Sequence, residues 1–95
     1  MLQDLRPFPN PAVEVHCLLD EAVLYHPERD AVLALNRTAR VIWEMCDGKR
    51  TLLEMSRELG QELGYTTDEE FAAILADIET TVKQLQELDV LMLVL

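Results

Sequence analysis

The chain has 95 residues, of which 8 are Lys or Arg and 18 are Asp or Glu, giving a net charge of −10 and a pI near 4.4. That balance argues against nucleic acid, which demands a basic footprint to displace counterions, and it disfavours anionic membrane surfaces. At 49% apolar, the sequence can build one core, and its length suits a single domain over 1–95 that buries about two-thirds of its unfolded surface.

The N-terminus carries prolines at alternate positions, Pro7, Pro9 and Pro11, where a signal peptide would need a basic region and an apolar run. The longest apolar stretch, 90–95, is far too short to span a bilayer. Cys17 and Cys46 form no Cys-x-x-Cys pair, so a reduced, cytoplasmic protein with two free thiols is expected.

In chain order, residues 1–11 read as an extended lead-in, because the prolines forbid helix and disfavour a central strand. Residues 13–19 alternate, with Val13, Val15 and Cys17 on one face and Glu14 and His16 on the other, predicting a half-buried strand. Asp20 and Glu21 are expected to turn the chain into a second strand over 22–26. Pro27, Glu28, Arg29 and Asp30 make the next turn, and Ala31–Leu35 is the third strand. Such short loops imply an antiparallel meander with its third strand at an edge.

Asn36 stands where a helix N-cap belongs, before a helix over 37–46 that groups Thr38, Val41, Ile42 and Met45. Gly48 suits the left-handed position after it. Thr51 and Glu54 form a capping box for a second helix with the stripe Leu52, Met55, Leu59 and Leu63, ended by Gly64. Thr67 and Glu70 form another, opening a third helix to about residue 88. On it Phe71, Ile74, Leu75, Ile78, Val82 and Leu85 recur at three- and four-residue steps. Residues 90–95 read as a terminal strand or an apolar tail. The fold class is α+β: a three-stranded antiparallel β-meander followed by three α-helices, resembling a winged helix-turn-helix.

Catalytic motifs are absent from the sequence, as are cysteine sets for an iron–sulfur cluster, so no catalytic residue, metal or cofactor is expected. His16, Cys17 and His26 come nearest to a metal set, but adjacent strand residues point to opposite faces and do not converge. Asp68, Glu69 and Glu70 complement the dipole of the third helix. Asp77, Glu79, Glu87 and Asp89 continue the negative charge as a solvated face or, functionally, as a rim that attracts basic peptide residues. Trp43 is assigned to packing. A DNA-reading second helix is disfavoured, since Arg57 stands among Glu54, Glu58 and Glu62. The third strand holds neither charge nor proline to protect its edge, so the 90–95 segment, a second protomer or a peptide should cover it.

Leu35 and Asn36, Ile42 and Trp43, Asp47 and Gly48, and the run Thr51, Leu52, Leu53, Glu54 together resemble the PqqD-like family over residues 21–91. Members recognise the leader segment of a ribosomally made precursor peptide and deliver it to a modifying enzyme. The resemblance implies that a leader adds as a strand on Ala31, Val32, Leu33, Ala34 and Leu35. It places the apolar floor on Val32, Ala34, Leu75, Ile78 and Val82, with Phe71 and Ile74 at one end. It also implies a non-enzymatic peptide chaperone whose partners are a precursor peptide and a maturation enzyme, foremost a radical S-adenosylmethionine (SAM) protein. The alternatives are an adaptor for a lasso-peptide leader peptidase, a module that homodimerises through the third strand, and an acidic winged-helix regulator.

Overall fold

The computed structural model describes residues 2–94. A short 3-10 turn, Leu2–Asp4, leads into β1 (Arg6–Pro9), followed by β2 (Glu14–Leu18), β3 (Glu21–His26) and β4 (Ala31–Leu35). Three helices come next, α1 (Arg37–Met45), α2 (Leu52–Glu62) and α3 (Asp68–Glu87), and β5 (Leu91–Val94) ends the described chain. Strands β2, β3 and β4 form the expected antiparallel meander in that order.

Each helix starts where its capping chemistry places it. Asn36 accepts from the Ala39 amide at 2.9 Å. Thr51 with Glu54 and Thr67 with Glu70 form reciprocal capping boxes, each satisfying amides that the first turn leaves without intrahelical partners. The helices cover the inner face of β3 and β4, where Ala22, Leu24 and Leu35 meet Ile42 and Trp43 of α1, Leu52 and Met55 of α2, and Ile74, Ile78, Val82 and Leu85 of α3. Leu24, Ile42, Leu52, Met55 and Ile78 are at most 1% exposed, so truncating any one to alanine costs about 2–5 kcal/mol.

At the chain ends the extended lead-in contains a strand and the C-terminal segment takes the terminal-strand form of its two readings, but their pairing with each other was not anticipated. β1 pairs antiparallel with β5, from Arg6 opposite Val94 to Pro9 opposite Leu91, as a separate two-stranded sheet. The Pro7 carbonyl accepts from the Gly48 amide at 2.9 Å. Residues 7 and 9 therefore direct their backbone polar groups away from β5, and the missing proline N–H groups break no bond of the pair. Gly48 has φ +78, and a Cβ there would lie 3.3 Å from Phe8 Cβ, so both conformation and close approach require glycine.

Two further local expectations are corrected. The first turn is Leu19-Asp20, because Leu18 pairs with Glu21. That register sends Ala22 and Leu24 to the core. β2 is exposed along its whole length instead of half-buried, since α1 packs on β3 and β4 at the other side of the sheet. Arg40 of α1 holds the hairpin by donating to the Leu19 and Glu21 carbonyls. His26 is buried and serves the structure: its Nε2 lies 3.2 Å from Asp89 Oδ2, beside Asn10, whose Nδ2 donates to the Asp89 carbonyl at 2.8 Å.

Candidate functional site

Among the described residues β4 pairs with β3 alone, because β5 is taken up by β1. Of the three candidate covers for this edge, the C-terminal segment is thereby excluded over the described residues. The register decides which backbone groups the edge offers. Leu18 and Glu21 close a two-residue hairpin, so they form a hydrogen-bonded pair, and bonded and unbonded pairs alternate from there. Glu21, Val23 and Tyr25 thus turn their polar groups toward β2, and Ala22, Leu24 and His26 toward β4. Their partners Leu35, Leu33 and Ala31 are consumed by that ladder. Val32 and Ala34 direct their N–H and C=O groups outward.

Beside this edge runs a cleft of about 590 Å³. Leu33, Ala34 and Leu35 form one wall, and Asn36, Thr38 and Ala39 close one end. The opposite wall is α3, through Asp77, Thr80, Thr81, Gln84, Leu85, Glu87 and Leu88. Arg29, in the turn before β4, donates to the Glu87 carbonyl at 3.2 Å. At the other end Asp77 shares a smaller recess with Thr38 and Ile42. β4 and α3 therefore run in opposite senses along the cleft.

The site residues expected from sequence are distributed unevenly around it. On β4, Ala31, Leu33 and Leu35 share the inward face, whereas Val32 is 69% exposed on the outer face and Ala34 borders the cleft at its rim. Ile74, Ile78 and Val82 belong to the core, and Phe71 and Leu75 line a different recess between α2 and α3, with Leu53 and Arg57. None of these five lines the β4–α3 cleft. Of the α3 residues that do, Asp77 and Glu87 were expected only as part of an acidic rim, and the others were outside the expected site. Their signal is a second row, Asp77, Thr80, Thr81, Gln84 and Leu88, at three- and four-residue steps beside the apolar stripe.

Chemically the cleft's lining combines apolar stretches, three hydroxyls, two side-chain amides and two carboxylates. Among the described residues no His, Cys, Asp or Glu side chains gather to hold a metal ion. Cys46 is buried at the end of α1, donates to the Ile42 carbonyl at 3.1 Å, and has its thiol pushed up to about 12 by burial and then by the Asp47 charge. Glu54 and Glu70 sit below the ordinary glutamate range because the Thr51 amide and the Thr67 hydroxyl, respectively, hydrogen-bond to their carboxylates in the caps. No helix of the described residues is long and apolar enough to cross a membrane.

Comparison with known proteins bears on the same elements. One solved structure, described as "TbiB1 in Complex with the TbiA(beta) Leader Peptide", has a TM-score of 0.74 over 88% of this chain and 93% of that one. At 20% identity the likeness is one of fold. No curated protein sequence matches. The family model for coenzyme PQQ synthesis protein D (PqqD) matches residues 21–91, which takes in the β3–β4 hairpin, all three helices and both walls of the cleft. The chain belongs to the PqqD family.

Proposed function

We propose that this chain is a non-enzymatic peptide chaperone that binds the leader segment of a ribosomally synthesised precursor by strand addition to β4 and presents it to a separate modifying enzyme. The unpaired β4 edge over an open cleft carries the reading. An incoming strand satisfies the outward groups of Val32 and Ala34 while its inward side chains enter between Leu33 and α3. Family membership supports a peptide ligand, as does the fold shared with TbiB1, which was solved with a leader peptide. The modifying enzyme is a radical SAM protein that supplies its own iron–sulfur cluster, and the encounter takes place in the cytoplasm.

Reconstitution tests this. A candidate precursor peptide and a candidate radical SAM maturase are combined anaerobically with and without the chain, and peptide mass is followed. Modification should require the maturase, depend on the chain, and fail when the leader is deleted. Equal modification without the chain, or modification by the chain alone, overturns the proposal. If the β4 edge instead pairs with itself, sedimentation shows a dimer that added leader does not dissociate.

A further inference from the structure

The cleft also constrains the chemistry of its ligand. Among the described residues Asp77 and Glu87 are the only ionisable ones lining it, and both are acidic. They lie ten residues apart on α3, about 15 Å of helix axis, which an extended peptide covers in about four residues. Three β4 residues face inward along this span, Ala31, Leu33 and Leu35. A strand added to β4 therefore directs three alternate side chains inward, at positions i, i+2 and i+4. Since β4 and α3 run in opposite senses, the position beside Ala31 meets the Glu87 end and the position beside Leu35 meets the Asp77 end. The middle position meets Leu33, Leu85 and Leu88.

We infer that the cleft selects a peptide segment of the pattern basic–x–apolar–x–basic, with a Lys or Arg set against Asp77 and a second near Glu87. This rests on strand addition at β4 and adds the side-chain code of the ligand. The pattern reads the same in both directions, so it holds for either orientation of the incoming strand. The two ends are unequal. Arg29 already stands beside Glu87 through its bond to the Glu87 carbonyl, so Asp77 carries more of the selectivity. The chain's net charge of −10 attracts any basic peptide at long range, whereas only a fixed pair of carboxylates imposes spacing.

Spacing is what the experiment reads. The full chain is immobilised and random peptides are selected by display at physiological salt, in parallel with Asp77→Lys and Glu62→Lys. Both variants change net charge equally, and Glu62 is exposed on α2 outside the cleft. The parent should enrich Lys or Arg at two positions four apart around an apolar residue. Glu62→Lys should keep that pattern, and Asp77→Lys should lose the basic preference at one end. Replacing the Asp77-facing Lys of a selected peptide by Gln should weaken binding about two- to fivefold, the range of an exposed ion pair. If selected peptides bind in a manner sensitive to Val32→Pro yet show no such spacing, or show it unchanged with Asp77→Lys, the inference is wrong and strand addition survives. If no selected peptide is sensitive to Val32→Pro, strand addition falls and the inference with it.

Discussion

Proline scanning along β4 tests the register of the proposed binding edge. Val32→Pro and Ala34→Pro each remove an N–H that points away from β3, and the meander keeps its ladder. Each preceding residue is already in extended backbone, as proline requires of its predecessor. One main-chain hydrogen bond to the leader is then lost per substitution, worth about 1 kcal/mol net. That corresponds to roughly fivefold in Kd, and to about thirtyfold for the double variant if the two sites act independently. Leu33→Pro acts differently. Its N–H pairs with Leu24, a residue only 1% exposed, and the Leu24 carbonyl left unsatisfied costs about 1–3 kcal/mol. For a chain of this length that lowers Tm by about 4–8 °C per kcal/mol. Circular dichroism melts and titration calorimetry with the leader separate the two effects. The reasoning is refuted if Val32→Pro and Ala34→Pro fold and bind as the parent does, or if Leu33→Pro alone keeps its stability and loses the leader.

Other perturbations report on the remaining structure. A basic leader should bind more weakly as salt rises from low to physiological concentration, chiefly through a slower association rate; salt-independent kinetics by surface plasmon resonance would exclude a role for the acidic rim. The Glu54 and Glu70 carboxyls are held low by their caps, so their contribution to stability is present above the ordinary glutamate pKa and is lost as pH falls through the depressed values. Thr51→Ala and Thr67→Ala should each cost about 1 kcal/mol at neutral pH and flatten the acid limb of the stability profile; an unchanged acid limb in denaturant titrations would count against the capping boxes. Cys17 is exposed and Cys46 buried, so iodoacetamide at mildly alkaline pH should label one thiol per folded chain and two after denaturation. The Cys46 thiol, raised to about 12, favours the fold below its ordinary pKa and ceases to do so as pH climbs through the raised value.

Local chemistry made much of this fold legible before any coordinates. The caps at Asn36, Thr51 and Thr67 mark helix starts with side chains that satisfy nearby amides. The turns read at Asp20-Glu21, one residue late, and at 27–30 set the meander to within a residue. What escaped was nonlocal or degenerate. The β1–β5 pair joins the two ends of the chain, and nothing in the prolines of β1 announces a partner so distant in sequence. The run Ala31–Leu35 is apolar throughout, so its alternation cannot say which residues face inward; that came only from the register of the neighbouring hairpin. On α3 the apolar periodicity identified the core-facing stripe, Ile74, Ile78, Val82 and Leu85. The α3 wall of the cleft is formed mainly by the adjacent row of Asp77, Thr80, Thr81 and Gln84, whose polarity resembles an ordinary solvated face until β4 is set opposite.

Amide hydrogen exchange on β4, with and without the precursor's leader, tests strand addition most directly. In the free chain the Ala31, Leu33 and Leu35 amides are bonded to β3 and should exchange slowly, while those of Val32 and Ala34 face water and should exchange fast. Saturating leader should slow Val32 and Ala34 selectively, leaving the other three little changed. If the leader binds and the Val32 and Ala34 amides still exchange as fast as in the free chain, the peptide does not add as a strand to β4.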